Sequence, residues 1–274
     1  MFRKILIANR GEIAVRIIRA ARELGIATVA VYSTADKEAL HTLLADEAIC
    51  IGPAKSTDSY LNMNAVLSAA VLTEAEAIHP GFGFLSENSK FATMCEEVGV
   101  KFIGPSGAIM DMMGDKINAR AQMIKANVPV IPGSDGEVFT AEEALEVAEK
   151  IGYPVMLKAS AGGGGKGIRK VEKAEDLAAT FESASSEAKA AFGNGAMYME
   201  RVIYPARHIE VQILADQHGH VVHLGERDCS LQRNNQKVLE EAPSVAIGKT
   251  LRQKIGDAAV RAAQSVGYEN AGTI

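Results

Sequence analysis

A glycine run between two lysines constrains this chain more than any other feature. In Lys158-Ala-Ser-Ala-Gly-Gly-Gly-Gly-Lys-Gly-Ile-Arg-Lys170, the residues Gly162, Gly163, Gly164, Gly165 and Gly167 carry no Cβ. Consecutive N–H groups can therefore converge on one anion, and positive φ is reached without steric cost. Lys158 and Lys166 supply countercharge. The flanking segments, Tyr153 to Leu157 and Ile168 to Val171, are β-prone, so the loop reads as the tip of a β-hairpin that closes over a polyphosphate. A Walker-type loop is excluded by counting, because it needs glycine at Ser160 and a hydroxyl after Lys166, where the chain has Gly167. The spacing of Gly162, Gly164 and Gly167 fits a dinucleotide fingerprint, but that fold starts a helix at the last glycine. Here the next helical pattern begins only near Ala174. A functionless surface turn is the plain alternative, and so many glycines carry an entropic cost that an ordinary hairpin avoids.

With 274 residues and 47% hydrophobic content, the chain can bury a large core and form two or three domains. No run approaches the ~20 apolar residues of a membrane span, and Met1 to Arg10 turns polar too early for a signal peptide. A cytoplasmic location is expected. Cys50, Cys95 and Cys229 are widely spaced and without a CxxC pair, which argues for packing roles rather than disulfides or a cysteine metal site. A net charge of −5 disfavours nucleic acid as the main partner.

The first stretch alternates strand and helix. Strands are expected at Lys4 to Ala8, Ala27 to Tyr32, Ala48 to Ile51, Ala77 to His79 and Lys101 to Ile103. Between them lie helical patterns at Glu12 to Leu24, Ala39 to Leu44, Met63 to Leu72 and Lys90 to Glu97. In the first helix, Ile13, Ile17, Ala21 and Leu24 should share the buried face. This order implies a parallel, doubly wound α/β sheet. Its first turn, Asn9-Arg10-Gly11-Glu12, has one glycine, and no acidic residue closes the second strand at Tyr32 or Ser33, so the domain reads as Rossmann-like without NAD. A Met-rich helix with Asp115 and Lys116 and a Pro- and Gly-rich link lead into a second domain. It should hold a helix at Ala141 to Ile151, the glycine hairpin, a helix at Ala174 to Phe192 and a strand at Ala196 to Met199. A third segment opens with Ile209 to Leu214, turns at Asp216 to Gly219 and returns as Val221 to Leu224.

Five separated motifs then carry a resemblance: Ile7-Ala-Asn-Arg-Gly-Glu-Ile-Ala14, His79-Pro-Gly-Phe-Gly-Phe-Leu-Ser-Glu-Asn88, Met113-Gly-Asp-Lys116, the glycine hairpin, and Glu226-Arg-Asp-Cys-Ser-Leu-Gln-Arg233 with Gln236-Lys237. Together they closely resemble the biotin carboxylase component of acetyl-CoA carboxylase, of the ATP-grasp superfamily, from the first residue to the last. The resemblance implies a Rossmann-like domain over residues 1–113, a linker helix and ATP-grasp lid over 114–202, and the first part of the ATP-grasp core over 203–274. It implies ATP-dependent carboxylation of biotin, carried on biotin carboxyl carrier protein, by bicarbonate through carboxyphosphate. That is the first half-reaction of acetyl-CoA carboxylase in fatty acid synthesis. The implied cofactors and substrates are ATP, Mg²⁺ or Mn²⁺, biotin and bicarbonate; the implied partners are the carrier protein, carboxyltransferase subunits and a second copy in a homodimer. Similar domains occur in pyruvate and propionyl-CoA carboxylases. A carbamoyl-phosphate synthetase domain would share the hairpin, but not the motifs at Ile7 and His79.

By resemblance, Lys116 and Lys158 bind phosphates, each close contact being worth roughly 4 kcal/mol at an effective dielectric near 20 before desolvation. The backbone of Gly164 and Gly165 forms the flap over them. Main-chain groups of Glu200, Arg201, Val202 and Ile203 read the adenine edge, and His208, Gln232 and Asn235 contact the nucleotide further. Asn235 stands where relatives carry histidine, and it cannot become cationic. Lys237 is implied to be the catalytic residue, meeting bicarbonate and its phosphorylated product as a compact charge with three donors. Glu226, Arg227 and Asp228 are expected to orient neighbours rather than perform chemistry. Phe82 replaces a tyrosine of some relatives in the biotin-side loop, and Arg16, Arg19 and Glu23 resemble dimer contacts. Relatives continue well beyond Ile274, where the resemblance places both metal-binding glutamates and the rest of the catalytic loop. No metal ligand is therefore expected within the chain, and as a separate piece it is expected to be nearly inactive, a nucleotide-binding or assembly fragment whose unpaired strand edges predict poor solubility or dimer rearrangement.

Overall fold

The computed structural model describes residues 1–114, 116–160, 167–233 and 236–274, the side chain of Lys116 aside. The chain packs as two compact units. One comprises Met1–Gly114, Val211–Glu226 and Lys249–Ile274; the other comprises Asp115–Glu210 and Arg227–Gly248. The segment expected to form a third domain thus contributes residues to both.

The first unit is built on β1 (Lys4–Ile7), β2 (Ala27–Ser33), β3 (Glu47–Gly52), β4 (Ala77–His79) and β5 (Lys101–Phe102), all parallel, in the order β3-β2-β1-β4-β5. Between the strands run α1 (Gly11–Glu23), α2 (Leu40–Leu44), α3 (Met63–Leu72) and α4 (Ser89–Glu97), with α5 (Gly107–Gly114) after β5. Because side chains alternate across a strand, both faces of the sheet bury apolar residues. Leu6, Val29, Val31 and Ile78 pack with Tyr60 and Phe91, and Ile5, Ile7 and Ala77 pack with Ile17 and Ile18 of α1. The Asn62 and Asn88 side chains cap α3 and α4 by accepting from Ala65 N and Phe91 N, each such cap being worth about 1 kcal/mol. The expected burial of Leu24 does not occur. The helix ends at Glu23, and Leu24, now its cap residue, leaves the periodic face and is exposed.

The second unit contains α6 (Lys116–Lys125), α7 (Ala141–Ile151), β6 (Val155–Ala159), β7 (Arg169–Val171), α8 (Leu177–Phe192) and β8 (Met197–Arg201). β6 and β7 pair antiparallel, as the glycine hairpin requires, and β8 flanks β6 on its other side. Thr140 and Glu143 form a reciprocal capping box at the start of α7. One core cluster joins Val155, Leu157, Met197 and Met199 to Ala144, Ala148, Phe181 and Ala184 of the two helices. At the hairpin base Gly167 has φ +69°, and a Cβ there would lie 2.9 Å from the Ala159 Cβ. Only glycine serves both demands. The rest of the glycine run, Gly162 to Gly165 with Lys166, lies outside the described residues.

β9 (Ile209–Ala215), β10 (Val221–Arg233), β11 (Gln236–Glu241) and β12 (Asn270–Thr273) order as β11-β10-β9-β12. β10 runs nine residues past the expected end at Leu224. It carries Glu226, Arg227 and Asp228 because each charge has a partner in the fold: Arg252, Glu210 and the hydroxyls of Ser230 and Ser244. The sequence reading also missed α9 (Lys249–Ser265), whose buried face consists of small residues such as Gly256, Ala259 and Ala263 and gives little hydrophobic contrast.

Candidate functional site

In the first unit a crevice of about 460 Å³ opens beyond the carboxyl ends of β1 and β4. It lies where strand order reverses, the position at which open α/β sheets hold ligands. Asn9 and Arg10 border it from the first turn, and Phe82 and Phe84 from the loop after β4. Asn9 is almost wholly buried; its Nδ2 donates to the carbonyls of Pro80 and Phe82 at 2.8 Å each, and its Oδ1 accepts from Arg10 N. Gly81 between them has φ +64°, and a Cβ there would sit 2.7 Å from Asn9 Nδ2. Asp36, three residues past β2, also reaches this crevice, an acid that the sequence reading did not place there. Burial pulls its carboxyl upward, but hydrogen bonds from Tyr60, Ser33 and Arg10 outweigh this and hold it below the usual carboxylate range. Three of those bonds fall on Oδ2, and Oδ1 accepts from Arg10 at 3.3 Å. Burial, reinforced by this bond to Asp36, pushes the Tyr60 phenol up to about 12.

The second unit holds two clusters of the expected residues. On the three-stranded sheet, Val155, Leu157 and Ala159 face the core and leave Lys158 on the opposite face. There its ammonium bonds Glu200 Oε1, diagonally across β6 and β8. Two donors of the neighbouring main chain are engaged within the fold. Arg201 N–H donates to Pro132 O and Val202 N–H to Pro154 O, both at 2.8 Å, so these two donors serve the sheet and are not available to an adenine edge.

The other cluster lies on β9, β10 and β11. Lys237 faces Gln232 in the antiparallel register, and its ammonium bonds Glu210 Oε2. Arg227 binds Glu210 Oε1 through Nε and Nη2, at 2.6 and 2.5 Å, and reaches Glu240 at 3.7 Å. Glu210 is buried, and burial would raise its pKa, yet the bonds from Lys237 and Arg227 leave it lowered. The same bond to Glu210 raises the pKa of Lys237. The result is a fixed carboxylate that holds two cations side by side. His208 and Gln232 are joined at 2.8 Å. Lys116 begins α6, while Gly164, Gly165 and Asn235 lie outside the described residues.

Glu210 is the central residue that the sequence reading passed over. Its signal is a carboxylate inside an apolar strand, Ile209-Glu-Val-Gln-Ile-Leu-Ala215, a place that requires cationic partners. Among the described residues one group has metal-ligand spacing: Glu210, Cys229 and Glu240, with ligand atoms within 4.8 Å of one another. It does not fit Mg²⁺, which takes hard oxygen ligands in an octahedron. Both oxygens of Glu210 already bind cations, and burial, with the nearby carboxylates, raises the Cys229 pKa and so favours the protonated thiol.

A lid of two helices on an antiparallel sheet, with Lys158 on its hairpin strand, defines an ATP-grasp domain; a Rossmann-like domain precedes it in sequence. Residues 1–110 match the family described as the biotin carboxylase N-terminal domain, and residues 115–274 the family described as the carbamoyl-phosphate synthase L chain ATP-binding domain. The chain is 57% identical over 274 residues to Biotin carboxylase 1 of Bacillus subtilis (strain 168), covering all of this chain and 61% of that one. It superposes on a biotin carboxylase complexed with β,γ-ATP from Campylobacter jejuni with a TM-score of 0.89 and 52% identity, over 100% of this chain and 61% of that. It also matches the biotin carboxylase domain dimer of Hydrogenobacter thermophilus 2-oxoglutarate carboxylase, complexed with MgADP, ADP and bicarbonate, at 0.86 and 51% over 100% and 60%. The chain belongs to the biotin carboxylase family, and it spans about three-fifths of the length of the relatives it matches. No helix among the described residues is long and apolar enough to cross a membrane.

Proposed function

We propose that this chain provides the nucleotide- and bicarbonate-binding part of an enzyme that carboxylates biotin on its carrier protein, the first half-reaction of acetyl-CoA carboxylase. The observation that carries this reading is the arrangement of Lys237 and Arg227 on the buried Glu210. It fixes two positive charges before any ligand arrives, so a small oxyanion meets them without reorganisation. Bicarbonate has the size and charge for that position. Its oxygen attacks the γ-phosphorus of ATP, the bond to the bridging oxygen breaks, and ADP leaves with carboxyphosphate formed. The carbon–oxygen bond of carboxyphosphate to phosphate then breaks, the departing phosphate takes the proton of the biotin ureido nitrogen, and that nitrogen takes the carboxyl group.

Lys158 and Lys116 have the role of phosphate cations. When ATP binds, Lys158 exchanges Glu200 for a phosphate oxygen, which frees a carboxylate next to the nucleotide. The adenine edge falls to the main-chain groups of Glu200 to Ile203 other than the two engaged N–H donors. Gly164 and Gly165 close over the phosphates and keep water from the mixed anhydride. The carrier protein, the carboxyltransferase and a second copy of the chain are the partners this role requires.

Titration calorimetry with MgADP tests the reading on the chain itself. Micromolar binding that falls at least tenfold in Lys158→Ala is expected, a lysine–phosphate contact exceeding the 1.4 kcal/mol which that factor represents. Unchanged affinity in the variant overturns the phosphate assignment. In a full-length protein containing this sequence, ATP turnover should depend on bicarbonate and rise with free biotin; turnover independent of both overturns the carboxylase reading.

A further inference from the structure

His208 does not stand alone at the edge of β9. Its carbonyl accepts from Cys229 N at 2.8 Å, and its N–H donates to Ser230 Oγ at 3.0 Å. Ser230 in turn donates through Oγ to Asp228 Oδ1 at 2.6 Å. Asp228 is buried, and its other oxygen accepts from Ser244 Oγ at 3.0 Å and from Arg207 Nη1 at 3.3 Å. The serine hydroxyl is therefore used twice, its proton committed to the carboxylate and its lone pair to the His208 amide. A residue on an exposed strand end is pinned by a carboxylate that never touches it.

The imidazole is fixed separately. Gln232 Nε2 lies 2.9 Å from the Cys229 carbonyl and 2.8 Å from His208 Nδ1. A carbonyl oxygen can only accept, so the nitrogen end of the amide must face it, and the second amide hydrogen then points at Nδ1. Nδ1 is thereby an acceptor and carries no proton. The proton of the neutral ring must sit on Nε2, which lies 3.9 Å from Glu210 Oε2, beyond hydrogen-bonding distance but facing the anchor of Lys237 and Arg227.

We propose that Gln232, together with the Asp228–Ser230 latch, makes His208 a neutral donor of fixed tautomer whose Nε2–H is presented to an oxygen of the bound nucleotide. Asp228 and Ser230 are positioning residues in this scheme, acting on His208 through its backbone, and Gln232 selects the tautomer. The presentation to a nucleotide rests on the function proposed above; the tautomer and the latch do not.

The test separates the two. Side-chain ¹⁵N resonances of His208 in the labelled 274-residue chain, at a pH where the ring is neutral, should show Nε2 protonated and Nδ1 bare. In Gln232→Glu the carboxylate cannot donate but can accept, and the ring should turn to the form that carries its proton on Nδ1. A wild-type ring protonated on Nδ1, or one that samples both tautomers equally, overturns the proposal whether or not nucleotide binds. MgADP titration then reads the latch. Ser230→Ala should weaken binding about five- to tenfold, the scale of one hydrogen bond, while Ser230→Thr, which keeps the hydroxyl, should bind within about twofold of wild type. Equal affinity in Ser230→Ala and wild type overturns the latch. Loss in both variants with the His208 spectrum unchanged does the same, because it assigns serine a different role. Absence of MgADP binding by the wild-type chain counts against the function proposed above, and the ¹⁵N spectrum still decides this proposal.

Discussion

In the parallel sheet of the first unit, strand positions are filled by apolar residues on both faces, and the polar side chains taken out of water there are mostly uncharged. Asn9, Ser33 and Tyr60 are examples; the last two converge with Arg10 on one carboxylate, Asp36, while Asn9 accepts from the Arg10 N–H. The residues of β9, β10 and β11 that belong to the second unit do the reverse. They bury Glu210 and Asp228 and surround each with donors, two of them cations for Glu210. The first arrangement makes a rigid frame whose stability comes from packing. The second makes a frame whose stability comes from charges, and under the function proposed above the same charges would set ligand affinity, so substitutions there should move both together.

Substitutions of decreasing severity probe that contrast. Phe91 is fully buried, with Phe102 edge-on at 6.1 Å, and Phe91→Ala should cost about 3–5 kcal/mol, seen as a fall in the urea midpoint. A loss below about 1 kcal/mol would mean that this core repacks freely and does not set the frame. Glu210→Gln removes the countercharge of Lys237 and Arg227 and should cost about 2–4 kcal/mol, by the same measurement. Its pH dependence sharpens the comparison. The folded carboxyl of Glu210 lies below its unfolded value, so its ionised form stabilises the protein above the unfolded pKa of about 4.3. That contribution fades as pH falls through the lower folded pKa, and the stability curves of wild type and Glu210→Gln should converge in acid. A constant gap between them would show that the carboxylate acts by shape alone. Thr140→Ala should cost about 1 kcal/mol by breaking the capping box of α7, read from the thermal midpoint. Arg169→Ala removes an ion pair to Glu187 whose members are each about 40% exposed, and it should stay within about 0.5 kcal/mol. A larger loss would place the hairpin's outer edge among the elements that hold the second unit together.

Much of the first unit was legible because its signals are local. Alternating strand and helix patterns gave α3 as Met63 to Leu72 and every strand of the parallel sheet to within one residue. The glycine run announced an antiparallel hairpin for a steric reason that Gly167 still shows. What escaped depends on contacts between distant residues. β10 continues through Glu226, Arg227 and Asp228 only because Arg252, Glu210 and Ser244 meet them; without those partners a charged triplet after Gly225 reads as a turn. Glu210 escaped for the same reason, its partners lying 17 and 27 residues further along. Asp36 escaped because the expected place for an acid was the end of β2, whereas it folds back to Ser33 from three residues beyond. The small-residue face of α9 offers too little contrast between its sides for periodicity to detect.

The two hydrogen bonds that the Asn9 carboxamide donates to Pro80 O and Phe82 O have a consequence for anyone exchanging loops between relatives. An aspartate at that position would set a negative oxygen against two carbonyls, and an alanine at Gly81 would push the amide away. The turn after β1 and the loop after β4 therefore have to be transplanted as a matched pair, since either one taken alone arrives without the half that gives it shape.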